Sequence, residues 1–158
     1  MLECRGLSAR YGRHEALSEV ALGVAPGEIV VILGANGCGK TSLLAALTGY
    51  LTPSGGTIDV LGSRYGRTDW RELRKHIGFV SNALTRQIEP DETAADVVAS
   101  GPSAVLNIWV RPRPAERRGA LRLLRAWQCG ALAARSWGVL SQGERQRTLI
   151  ARALFARP

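Results

Sequence analysis

The sequence predicts an α/β fold, on three observations. Strand-like and helix-like patterns alternate between residues 29 and 80. A glycine-rich loop joins the most apolar strand pattern to a helix pattern. Beyond residue 80 the patterns turn helical, which predicts an α/β core carrying a helical insertion that begins after Val80 and ends near Leu140. The 158 residues are about one domain's worth of chain.

Each element follows from local chemistry. Residues 2–33 read as β. Val20, Leu22 and Val24 alternate with Ala21, Gly23 and Ala25, the signature of a half-buried strand. Pro26-Gly27 is a turn signal. Ile29-Val-Val-Ile-Leu33 has no polar face, which predicts a strand buried on both sides. Lys40 to Thr48 carries Leu43, Leu44 and Leu47 at helical spacing, and Gly49 suits the end of that helix. Pro53-Ser-Gly-Gly56 reads as a turn, Thr57–Leu61 as a strand, Trp70–His76 as a short polar helix and Ile77–Val80 as a strand. Residues 91–100 read as helix, broken by Gly101-Pro102. Pro114 suits a first helical position, and Leu121, Leu124 and Trp127 recur along an amphipathic helix from Ala115. A last helix is expected from about Gln142 to Ala156.

Charge is uneven. Residues 1–100 hold 10 basic and 11 acidic residues, whereas residues 101–158 hold 11 and 2. Such a basic half suits nucleic acid or anionic lipid, but it equally describes the solvated face of an arginine-rich protein. Trp109, Trp127 and Trp137 sit among the arginines in no recognisable groove-reading pattern. Cys4, Cys38 and Cys129 form no Cys-x-x-Cys pair, which argues against a disulfide framework or a zinc site and fits a reducing compartment. No stretch approaches the ~20 apolar residues of a membrane-spanning helix, and the first residues lack a signal-peptide core.

Gly34-Ala-Asn36-Gly37-Cys38-Gly39-Lys40-Thr41 matches G-x-x-x-x-G-K-[ST], a loop that cradles phosphate. Glycines let successive backbone N–H groups aim at one anion, and the following helix adds its N-terminal partial charge. Lys40 supplies a point charge for the β- and γ-phosphates. The Thr41 hydroxyl suits Mg²⁺, which keeps most of its shell as water and phosphate oxygen.

A second motif, Leu140-Ser141-Gln142-Gly143-Glu144, opens the last helix. Ser141 and Glu144 have capping-box spacing. Gly143 costs helix stability in the first turn, so it is useful where something approaches the backbone closely. A helix N-terminus with an exposed hydroxyl suits a second anion.

Leu-Ser-Gln-Gly-Glu downstream of a phosphate loop and a helical stretch resembles the signature motif of the ATP-binding cassette (ABC) ATPases, and the resemblance covers essentially the whole chain. Ala9-Arg-Tyr11-Gly12 resembles the family's aromatic loop, which implies that Tyr11 stacks on adenine. Gly34 to Ser42 resembles its Walker A, and Leu51 to Gly62 its usual turn and strand. The resemblance implies a P-loop NTPase (RecA-like) core with an N-terminal antiparallel β-subdomain and an inserted α-helical subdomain. Residues 1–82 would form the β-subdomain and core, about 83–140 the helical subdomain, and 141–158 the signature and its helix. It also implies ATP and Mg²⁺ as cofactors, with two cassettes sandwiching two nucleotides. Ser141, Gln142, Gly143 and Glu144 would contact a nucleotide held by the partner cassette. In transporters a pair of permease subunits receives the motion, so the expected location is cytoplasmic, peripheral at the inner face of the membrane.

The sequence departs from that family in two places. Asn82 occupies the position of the family's glutamine and is one methylene shorter; the resemblance implies that it is the catalytic Q-loop residue and, with Thr41, a metal ligand. An apolar strand ending in Asp-Glu, followed by a histidine, is not found: Asp91-Glu92 follows Ile88-Glu-Pro90, and His14 and His76 lie upstream of the histidine's place. The expectation is therefore a truncated cassette with an incomplete sheet that does not hydrolyse ATP alone. Other readings are a soluble cassette acting on a nucleic-acid or ribosomal partner, and a non-catalytic nucleotide-binding remnant. Nucleic acid is not the expected partner of the transport reading.

Overall fold

The computed structural model describes residues 1–105 and 112–156. The chain divides into two compact units, Met1–Leu73 and Arg74–Pro158.

The first unit is built on an antiparallel hairpin. Strand β1 (Leu2–Tyr11) pairs with β2 (His14–Val24) in a register running from Leu2↔Val24 to Tyr11↔His14. On its other edge β1 pairs with β3 (Gly55–Val60), and β3 pairs with the two-residue β4 (Ser63–Arg64), so the sheet order is β2-β1-β3-β4. Cys4, Leu7 and Ala9 of β1, with Leu17, Ile58 and Val60, form its buried face. Helix α1 (Lys40–Leu47) packs against β1 and β2 through Leu43, Ala46 and Leu47. Gly49 ends α1 at φ +73, where any Cβ would run into the Trp70 ring of the short α2 (Trp70–Arg74).

Two strand expectations are overturned. Ile29–Leu33 joins no ladder among the described residues, and Ile29, Val31 and Leu33 are 91%, 73% and 86% exposed rather than buried. A β-branched run becomes a buried strand only when neighbours pair with its backbone and cover both faces, and no described strand lies beside it. Ile77–Val80 likewise joins no ladder among the described residues, although Phe79 is buried. The described sheet is accordingly wholly antiparallel.

The second unit is helical. Helix α3 (Ala94–Ala99) is capped by Thr93, whose Oγ1 accepts from the Asp96 N–H. It packs against both α4 (Pro114–Ala126) and α5 (Gln142–Phe155). Val97, Val98, Ala120, Leu124 and Leu149 form the core, with Pro114 at the first helical position as its sequence predicts. Trp127 ends α4 nearly half exposed, not on the buried stripe. Arg152 is buried; its Nε donates to Ser100 Oγ at 2.9 Å and an Nη to the Val105 carbonyl at 3.4 Å.

Candidate functional site

In the first unit the phosphate loop leads into α1. Gly39 is the N-cap, with φ +93, and a Cβ there would lie 2.6 Å from the Ala16 carbonyl oxygen, so the loop can seat on β2 only with glycine at this point. The first helical bond runs from the Leu43 N–H to Gly39 O, which leaves the amides of Lys40, Thr41 and Ser42 without an intrahelical acceptor. They join the helix dipole in favouring an anion. Lys40 Nζ folds back over the loop, donating to Gly34 O at 2.7 Å and Ala35 O at 2.6 Å, and lies 3.8 Å from Cys38 Sγ. Cys38 is exposed, whereas Cys4 and Cys129 are buried, and all three thiols are free.

Tyr11 and the loop residues Asn36–Ser42 line one cavity of about 600 Å³. Tyr11 is 54% exposed at the end of β1. His14 and Glu15 form part of the same wall, which the linear sequence does not show. The signal lay in the hairpin: once β1 turns at Gly12-Arg13, the Tyr11↔His14 register brings both residues to the loop.

In the second unit Ser141 is the N-cap of α5. Its Oγ accepts from the Glu144 N–H at 3.3 Å, and the Glu144 carboxylate accepts from the Ser141 N–H at 2.7 Å. This capping box matches the expected spacing. The Ser141 backbone bond, the Ser141 hydroxyl and the nearby Arg135 hold the Glu144 carboxyl below the usual carboxylate range. Arg135 also pairs with Glu144 at 2.7 Å. Ser141, Gln142 and Gly143 remain exposed, and nothing lies within 4 Å of a Cβ built on Gly143.

Asn82 is exposed and opens a 3₁₀ helix, Asn82–Gln87. It shares a polar cavity of about 310 Å³ with Thr85, Arg86, Gln142 and Arg145. Trp137 is 2% exposed, so it leaves the basic surface suggested by the tryptophans and arginines of the sequence. Trp109 lies outside the described residues. Among the described residues no group of three or more His, Cys, Asp or Glu side chains is placed to hold a metal ion, and no helix is long and apolar enough to cross a membrane.

A family model described as ABC transporter matches residues 17–158. The uncharacterized ABC transporter ATP-binding protein YlmA of Bacillus subtilis is 37% identical over 159 residues, covering all of this chain and 60% of that protein. The sulfate/thiosulfate import ATP-binding protein CysA of Bordetella pertussis is 38% identical over 158 residues, covering 99% of this chain and 43% of that protein. The chain thus spans about half the length of such relatives. Among solved structures, the dimeric structure of MJ0796, a bacterial ABC transporter cassette, superposes with a TM-score of 0.82 at 26% identity, over all of this chain and 71% of that one. A post-hydrolysis dimer of the same cassette, bound to ADP and Pi, gives 0.81. With the family model matched across nearly the whole chain and relatives of 37% and 38% identity along essentially its full length, the chain belongs to the ABC transporter family, among its ATP-binding cassettes.

Proposed function

We propose that this chain is the nucleotide-binding part of an ATPase that powers transport through membrane-embedded permease subunits. ATP lies on the phosphate loop, its phosphates against Gly34, Gly37 and Gly39 and its γ-phosphate drawn to Lys40. Tyr11 is the platform for adenine. The observation that carries this reading is the single cavity that Tyr11 shares with the loop, which joins a ring surface to a cationic anion cradle. Mg²⁺ fits the chemistry of Thr41, which is exposed in the loop's cavity and offers one neutral oxygen, the sparse protein shell that a hydrated magnesium ion prefers; Asn82, exposed in the second unit, is the proposed Q-loop residue for nucleotide in its own cassette. The metal would neutralise charge on the phosphates. Ser141, Gln142, Gly143 and Glu144 face a nucleotide bound to a second cassette, a reading supported by the exposure of Ser141, Gln142 and Gly143 and by the dimeric relative.

The finer architecture belongs to the same proposal. Residues 1–82 carry the β-subdomain and core, 83–140 the helical subdomain and 141–158 the signature helix. The exposed run Ile29–Leu33 supports a core sheet that these 158 residues represent only in part. The working place is the cytoplasmic face of a membrane. Hydrolysis needs a carboxylate that activates water, and this reading assigns that role to none of the residues named above.

Calorimetry with MgATP and MgADP tests the reading. Lys40→Ala deletes the one side-chain cation in the loop, and we expect it to abolish most of the preference for ATP over ADP. Equal ATP affinity in variant and parent would remove the proposal's basis.

A further inference from the structure

A continuous line of hydrogen bonds runs from Asn82 to Ser141. Thr85 Oγ1 donates to the Asn82 carbonyl at 2.6 Å. The Thr85 carbonyl accepts from Trp137 Nε1 at 3.2 Å, across 52 residues of sequence. The Trp137 carbonyl accepts from Arg145 Nε at 3.2 Å, and the Arg145 N–H donates to the Ser141 carbonyl at 2.9 Å.

The line is clamped on both sides. The Trp137 N–H donates to Glu92 O at 2.7 Å, and the Gly138 N–H to Pro90 O at 2.8 Å, so residues 90–92 grip the two peptides that flank Trp137. From the helix side an Arg145 Nη donates to Gly138 O at 3.1 Å, while the guanidinium lies 5.5 Å from the centre of the Trp137 ring. Burial of the indole leaves Thr85 O as the natural acceptor for its N–H, because a buried unpaired donor is costly. A cation over an indole face adds to the hold.

We propose that Trp137 and Arg145 are positioning residues that lock Asn82 and Ser141 into one body. A displacement at Asn82 then shifts the N-terminus of α5 directly, without repacking the helical core. The inference rests on the reading above, in which Asn82 meets nucleotide in its own cassette and Ser141 meets it in the partner. A contiguous network alone is not coupling, so the test must measure coupling.

Trp137→Phe keeps an aromatic ring but removes the N–H donor and part of the indole's volume; Arg145→Gln removes the cation from a half-buried, water-touching position and leaves that volume in place. Both variants and the double variant are made in the complete protein that contains this chain. Nucleotide affinity by calorimetry should stay at the parent's value. The ATP concentration for half-maximal dimerisation, by light scattering, should rise about fivefold in each single variant, the worth of one hydrogen bond. The double variant should be no worse than the weaker single, because both break the same line. Hydrogen exchange should show residues 85–92 and 141–146 losing protection together in either single variant.

Unchanged dimerisation in both singles, an additive double, or protection lost only next to the substituted residue would overturn the proposal. A lower melting temperature with unchanged dimerisation counts against it too, as the mark of a purely structural role. If Trp137→Phe fails to fold, Arg145→Gln decides. If the parent does not dimerise with ATP, the in-trans reading of Ser141 falls, and the paired loss of exchange protection alone decides whether the two segments form one body.

Discussion

At Gly143 a single hydrogen atom stands where other residues carry a side chain, and the structure leaves the space above it open. Steric tolerance makes the position a clean probe. Gly143→Asp places a carboxylate at the exposed N-terminus of α5 without a clash inside the chain, and an acidic side chain there suits the helix dipole. Folding should therefore survive. The new charge faces the place proposed for a partner's γ-phosphate, so the complete protein should keep its ATP affinity and lose ATP-dependent dimerisation. A variant that still dimerises with ATP, by light scattering, would show that nothing anionic docks on Gly143. Arg152 teaches the opposite lesson about single residues. In sequence it is one more member of a basic half, yet it is buried and bonded to Ser100, 52 positions away. Distance along the chain hid it, as it hid the Trp137 bond to Thr85.

Helix α5 begins where local chemistry says it should. Ser141 and Glu144 close their capping box within four residues, so spacing alone made it legible, as it made the phosphate loop and the Pro114 start of α4 legible. Burial of Trp137 was not legible, because it depends on which distant segments pack together. The run Ile29–Leu33 was legible as an apolar strand former, but pairing is a property of neighbours and not of the run. Ser141→Ala should cost about 1 kcal/mol at neutral pH by removing the cap, measured by denaturant unfolding. The box should also carry a pH signature. The Glu144 carboxyl is held below its ordinary value of 4.5 by Ser141 and Arg135. The unfolded chain then takes up the proton first as pH falls, so the stabilisation is full above that value and is lost as pH drops through the lower, folded-state value. Parent and Glu144→Gln should accordingly differ in melting temperature at neutral pH and converge in strong acid. A gap that widens in acid would mean that the carboxyl is not held ionised by the cap.

Across the whole molecule, the proposed reading gives residues to the nucleotide and none to the activation of water. Phosphoryl transfer rests on positioning and on electrostatics around the γ-phosphate, and a cradle supplies these to the phosphates but not to the attacking water. The 158-residue chain should thus show steady-state ATPase activity no higher than its Lys40→Ala variant in a phosphate-release assay. Turnover that depends on Lys40 would reveal a catalytic carboxylate within these residues. Ile29–Leu33 has a further consequence, and it concerns time rather than energy. Roughly a hundred residues separate this bare, uncharged segment from α5, and at about 5–20 residues per second the ribosome needs ~5–20 s to make them. Even then the run lies exposed, since no described element covers it. Through that interval and beyond it, each chain offers its neighbours on the polysome an adhesive segment. Soluble yield therefore depends on how closely nascent chains are crowded, which slower initiation would ease while leaving the finished fold unchanged.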